Sequence, residues 1–250
     1  MAVLIDADNA QAAVIEGLLA EIARFGEATV KRIYGDFTAT TSSSWKKVLQ
    51  RYAIKPVQQF AYTTGKNATD STLIIDAMDL LYTRKFDGFC LVTSDSDFTG
   101  LAMRLREEGL TVLGFGENKT PEAFRNACHK FVFTEVLRPS TAAEPVGPAP
   151  KPGRGRKSSP SQPPTEATEQ KLEFPTKFVL TALEQSIDDT GWAHLGTFGS
   201  YLTKLQPDFD SRLYGYRKLS DLVKARTDLF VTDERKAAGS KQKVLYLHAK

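Results

Sequence analysis

Short apolar runs punctuate the first 133 residues, with room for a helix between most of them: Ala2-Val3-Leu4-Ile5, Thr29 to Tyr34, Pro56 to Phe60, Phe89-Cys90-Leu91-Val92-Thr93, Thr111 to Phe115 and Phe131-Val132-Phe133. Each reads as a buried strand. Between the first two runs, Val14, Leu18, Ile22 and Phe25 recur at helical spacing, and Leu73, Ala77 and Leu80 do so later. Strands alternating with helices predict a three-layer α/β domain on a mostly parallel sheet. Crossovers in such sheets are right-handed, so the carboxyl ends of the strands gather at one edge, where sites form.

Past residue 173 the pattern changes. Phe178, Leu180 to Leu183 and Ile187 suggest a helix, Leu195 to Leu205 a second and Lys218 to Ala225 a third. Leu229 to Thr232 and Lys243 to Leu247 then read as two strands flanking the turn Ala238-Gly239-Ser240. Three helices and a hairpin predict a small winged-helix (α+β) domain, and no internal repeat is present. Between the two patterns, eight of the twelve prolines fall from Pro139 to Pro164 among Ala, Gly, Ser and Thr. Such a stretch buries too little apolar area to offset its ordering entropy. The expected organisation is therefore a domain over 1–137, a flexible Pro-rich linker over 138–172 and a domain over 173–250. The linker's basic cluster, Lys151 to Lys157, reads either as a solvated spacer or as an accessory contact to phosphates.

Charge sharpens this division. Lys and Arg number 15 against 17 Asp and Glu over residues 1–137, 6 against 3 over 138–171, and 12 against 10 over 172–250. A slightly acidic domain with basic segments attached suits carboxylates that hold divalent cations while Lys and Arg elsewhere engage phosphates. Cys90 and Cys128 sit in apolar stretches and read as packing residues in a reducing compartment. No apolar run approaches the roughly 20 residues that span a bilayer. A soluble, cytoplasmic protein is expected.

The chemistry concentrates where strands end. Asp6, Asp8 and Asn9 follow the first strand, Ser94, Asp95 and Asp97 follow the fourth, and Asp70 opens a helix after the third. Three loops thus bring acids to one sheet edge. Crowded carboxylates repel unless a cation sits among them, and Mg²⁺ or Mn²⁺ suits an all-oxygen donor set. An ion so held can activate water and neutralise charge on a phosphodiester. Asp8, Asp70 and Asp97 also stand where helix N-caps are expected, whereas an acid ending an apolar core strand, as Asp6 and Asp95 do, carries a burial cost that capping does not explain. Asn9 orients Asp6 or a water, or caps the first helix. Six residues of helix turn Asp76 away from Asp70, making it a supporting residue or part of a solvated face. Lys66 is a candidate phosphate contact, and Gly114 to Asn118 a weak hint of phosphate approach. His129, His194 and His248 are scattered and assigned to no metal.

Ile5-Asp6-Ala7-Asp8-Asn9, then Lys66-Asn67-Ala68-Thr69-Asp70 with Asp76 six residues on, then Thr93-Ser94-Asp95-Ser96-Asp97-Phe98, resemble the NYN domain family of PIN-like nucleases over about residues 1–137. That resemblance implies a PIN-like fold and Mg²⁺- or Mn²⁺-dependent RNA cleavage, with Asp6, Asp70, Asp95 and Asp97 around the metal and Asp76 within the family pattern. The segment from Phe174 to His248 resembles the LOTUS or OST-HTH domain, a winged helix associated with RNA binding, through Gly196 to Leu202 and Tyr216 to Leu222. Lys204, Arg212, Tyr214, Tyr216, Arg217 and Lys218 are the candidate RNA contacts there, offering cations for phosphate and rings for stacking. RNA is the expected partner and no membrane is; pairing with a second copy and a protein partner for the C-terminal domain stay open. Two other readings stand beside the ribonuclease: a non-catalytic RNA-binding adaptor, and a haloacid dehalogenase-like phosphatase, whose opening motif Leu4-Ile5-Asp6-Ala7-Asp8 also resembles.

Overall fold

A computed structural model describes residues 1–38, 43–60, 68–138, 173–236 and 243–250. The linker residues 139–172, Lys66 and the turn 238–240 lie outside the described residues. Six strands, β1 (Ala2–Asp6), β2 (Val30–Gly35), β3 (Lys55–Gln58), β4 (Gly88–Val92), β5 (Thr111–Gly116) and β6 (Lys130–Phe133), form one sheet in the order β3-β2-β1-β4-β5-β6. Every pairing is parallel. The order reverses between β1 and β4, so the chain leaves those two strands toward opposite sides and opens a crevice at their carboxyl ends.

Both faces of the sheet are covered, which is why β1 and β4 are unbroken apolar runs rather than alternating ones. Side-chain alternation sends Ala2 and Leu4 of β1, with Phe89 and Leu91 of β4, to one face. There they meet α3 (Ala68–Tyr82), α4 (Thr99–Glu107) and α5 (Glu122–Ala127). Val3, Ile5, Cys90 and Val92 point the other way, against α1 (Ile15–Ile22) and α2 (Ser43–Tyr52). Both cysteines are free and buried. Burial pushes each thiol up to about 12, so neither is a ready nucleophile. Phe25, expected on the first helix, lies beyond its end and is exposed, because α1 stops at Ile22.

The C-terminal part has its own core, built on Val179, Leu183, Phe198, Leu202, Leu222 and Leu247. Helices α6 (Thr176–Glu184), α7 (Leu195–Leu205) and α8 (Leu219–Ala225) pack on an antiparallel sheet. Its strands are β8 (Phe230–Lys236), β9 (Lys243–Ala249) and the two-residue β7 (Ala193–His194), in the order β7-β9-β8. Ile187 leaves α6 and pairs in an isolated bridge with Ala193.

The two parts meet along the open edge of the large sheet. The Phe131 N–H on β6 donates to the Pro207 carbonyl at 2.9 Å. To one side, Arg125 on α5 pairs with Asp208. On the other, Arg212 reaches Glu21 on α1 at 3.1 Å while holding Asp210 at 2.6 Å. Glu21, Asp208 and Asp210 are all buried, a placement that carboxylates tolerate only when paired. Residues 207–212 therefore straddle β6 and satisfy an edge strand that would otherwise invite another chain.

Candidate active site

Asp6 continues the face of β1 that carries Ala2 and Leu4, and so points toward α3. It is fully buried. One carboxylate oxygen accepts the Asp8 N–H at 3.0 Å; the other accepts the Asn9 amide at 2.8 Å and the Thr93 hydroxyl at 2.9 Å. Of the two roles read for Asn9, the structure shows the contact to Asp6; the cap position before the first helical turn falls to Gln11, which makes no side-chain cap. The Asp8 side chain lies near Asp6, with a hydrogen bond to Thr69, and burial followed by the Asp6 charge raises its pKa.

Immediately after β4, the Thr93 hydroxyl also accepts the Asp95 N–H at 3.1 Å. Asp95 in turn accepts the Asp97 N–H at 2.9 Å, so Asp95 rather than Asp97 caps the short 3-10 turn Ser96–Phe98 that leads into α4. The Ser94 hydroxyl accepts the Glu117 N–H at 2.8 Å, fastening this loop to the end of β5. Gly114 and Gly116 answer a packing demand rather than a phosphate: a Cβ on Gly114 would meet Cys128 Sγ at 2.6 Å, and one on Gly116 would meet the Thr93 carbonyl at 2.5 Å. The N–H groups of Glu117 and Asn118 are already taken by Ser94 and Glu135.

Asp70 is the third residue of α3, inside the first turn rather than capping it. One carboxylate oxygen from each of Asp70, Asp95 and Asp97 lies within 4.8 Å of the others. Burial raises the Asp70 pKa to about 6, reinforced by the charges of Asp6, Asp95, Asp97 and Asp8. Asp6 stands outside the trio of oxygens, behind it, and contributes through its field. Asp76, two turns along α3, pairs with Arg32 and the Tyr34 hydroxyl of β2, fixing the helix against the sheet rather than entering the cluster. Asp6 is fully buried and accepts three hydrogen bonds, a placement that suits a fixed structural charge better than an exposed nucleophile, which weighs against the phosphatase reading.

The residues expected to touch RNA in the C-terminal domain divide. Lys204, Arg217 and Lys218 are exposed. Arg212 is spent on Glu21 and Asp210, Tyr214 packs edge-on to Phe174 at 5.1 Å, and Tyr216 lies against the core. Unforeseen in the sequence is the Arg235 guanidinium lying 4.6 Å from the rings of both Trp192 and Tyr246. Those three residues are distant along the chain and meet only once β8 pairs with β9 and β7 joins them.

Residues 1–136 match the NYN domain, and residues 170–241 match the OST-HTH/LOTUS domain. No curated protein matches the chain. Among solved structures, a solution NMR structure of an uncharacterized protein from Nitrosomonas europaea is 71% identical, covering 39% of this chain and 92% of its own, with a TM-score of 0.31. A crystal structure of a protein of unknown function from Vibrio parahaemolyticus is 16% identical, covering 53% of this chain and 90% of its own, with a TM-score of 0.44. An NMR structure from Chromobacterium violaceum is 29% identical, covering 32% and 84%, with a TM-score of 0.25. The chain belongs to the NYN domain family, its NYN domain followed by an OST-HTH/LOTUS domain.

Proposed function

We propose that this protein is a ribonuclease that hydrolyses RNA phosphodiester bonds with a Mg²⁺ or Mn²⁺ ion held by Asp70, Asp95 and Asp97. The observation that carries this reading is the approach of three carboxylate oxygens within 4.8 Å of one another at the sheet's crevice. The donor set fits a hard divalent cation: it is all oxygen, and burial, reinforced by the neighbouring carboxylates, raises the Asp70 pKa to about 6, a charge penalty that bound positive charge would relieve. When bound, such an ion activates water and offsets charge on phosphorus.

The protein's own groups prepare that site. Asp6 supplies a buried negative charge behind the cluster, and Thr93 fixes both Asp6 and the turn that presents Asp95. Asn9 holds the second side of Asp6. The OST-HTH/LOTUS domain supports RNA as the substrate, with Lys204, Arg217 and Lys218 as its phosphate contacts. Among the described residues no helix is long and apolar enough to cross a membrane. The test is cleavage of end-labelled single-stranded RNA by the full chain with Mg²⁺, with Mn²⁺ and with EDTA. RNA that is bound yet left intact under every ion would instead favour the adaptor.

A further inference from the structure

We propose that Arg217 and Lys218 bind RNA as part of a cleft between the two domains, which grips the phosphates of a single strand with cations from both domains. It rests on the reading that RNA is the substrate. The cleft has a volume of about 490 Å³ and is lined by Arg24 and Lys130 of the NYN domain and by Arg212, Arg217 and Lys218 of the OST-HTH/LOTUS domain, with Asp210 the acid among them. A single phosphate ion would leave most of that space empty, whereas pockets of this size hold ligands of many atoms.

The charge is only partly answered within the protein. Arg212 is saturated by Asp210 and Glu21, and Arg24 shares Glu21 at 3.0 Å while staying mostly exposed. No salt bridge or hydrogen bond engages the ammonium groups of Lys130 and Lys218 or the guanidinium of Arg217 among the described residues. Lys130 is partly buried, and the charges of Asp210, Glu21, Arg212 and Arg24 all act on it. An anion entering the cleft would meet three cations that hold no direct ion pair, and the release of counterions would favour a polyanion.

Location argues for a function separate from cutting. Lys130 is level with Leu113, and through it with Cys90 and Val3, three residues short of Asp6 and three strands away. Strand rise and spacing put the two backbone positions roughly 15–20 Å apart. Lys130 shares the α1 face of the sheet with Cys90 and Val3, whereas Asp6 faces α3, so the cleft is a binding surface apart from the carboxylates.

The experiment measures binding of a labelled single-stranded RNA to the full chain in EDTA, by fluorescence anisotropy over a salt series. Arg24→Gln and Arg217→Gln take one exposed cation from each domain, and melting curves check that both variants fold. Each is expected to weaken binding several-fold and to lower the salt slope by about 0.7, and the double variant to weaken it roughly tenfold or more. Unchanged binding by Arg24→Gln would overturn the two-domain site. Inorganic phosphate that raises the melting temperature while RNA affinity ignores both substitutions would assign the cleft to a free anion and also overturn it. The two readings fail separately: intact RNA under Mn²⁺ with binding still lost in the variants sinks the nuclease alone, and cleavage with unchanged binding sinks the cleft alone.

Discussion

The Thr93 hydroxyl donates to the Asp6 carboxylate at 2.9 Å and ties the carboxyl end of β4 to that of β1. The same oxygen accepts the Asp95 N–H, so one side chain sets the buried acid and the turn bearing Asp95 and Asp97. Removing it leaves a buried carboxylate oxygen and an N–H short of a partner. Thr93→Val should cost about 1–3 kcal/mol in urea unfolding, and Thr93→Ser should recover most of it. Equal stability of Val and Ser variants would mean the hydroxyl holds nothing.

Asp70 gives a pH signature. Its pKa is about 6 in the folded chain against 3.8 as the ordinary value, so the folded state binds this proton more tightly than the unfolded state does. Stability therefore falls as pH rises from about 4 to 6, and the cost is fully present above 6. Asp70→Asn should match the wild type near pH 4 and melt higher at pH 7 without divalent ions. Adding Mn²⁺ at pH 7 should raise the wild-type midpoint more than the variant's. A variant that melts lower than the wild type at pH 7 would contradict the crowding of charge.

Gly116 lies where a Cβ would sit 2.5 Å from both the Thr93 carbonyl and the Thr120 hydroxyl. Backbone cannot step aside cheaply, so Gly116→Ala should destabilise by about 1–3 kcal/mol and displace the Thr93 to Asp97 turn. Reduced cleavage alongside the stability loss is expected, and Gly100→Ala, with nothing within 4 Å of the new Cβ, is the control.

Arg212 answers two buried acids from two domains, Glu21 and Asp210. Arg212→Gln leaves both short of charge and should cost about 2–4 kcal/mol, with protease sensitivity rising as the domains part. Arg212→Lys should not restore it, since a point charge cannot reproduce the fork that holds Asp210 and Glu21 together. Wild-type resistance in the Gln variant would remove this ion pair from the account of docking.

Much of this was legible in the chain. The six apolar runs became the six strands within a residue or two at most ends; for the central β1 and β4 this is because strands buried on both faces have little choice but to be continuously hydrophobic, while β2 and β3 carry polar residues toward the edge. Asp6 and Asp95 stood out because a charge at the end of such a run needs a reason. Helix α2 went unread although it was legible: Trp45, Val48, Leu49 and Tyr52 recur at helical spacing and pack on the core, while the Lys, Gln and Arg between them face outward. The roles of Arg212 and Tyr214 were also hidden: a cation and a ring in a loop look alike whether they face RNA or protein, and only the fold shows Arg212 reaching Glu21 of the NYN domain and Tyr214 packing on Phe174 and Phe209 of its own domain. Capping chemistry misled for Asp8, Asp70 and Asp97: Gln11 holds the position before the first helical turn, Asp70 lies third within α3, and Asp95 caps the turn that contains Asp97.

The central claim is that the oxygens of Asp70, Asp95 and Asp97 hold an ion that cuts RNA, and Asp95→Asn tests it most directly, keeping side-chain volume while removing the ligand charge. Initial rates on end-labelled single-stranded RNA, with Mn²⁺ and with EDTA, should show cleavage by the wild type with the ion alone. The variant should lose at least ~100-fold with its melting temperature and RNA affinity intact. Equal cleavage by Asp95→Asn, or cleavage by the wild type that persists in EDTA, would contradict it.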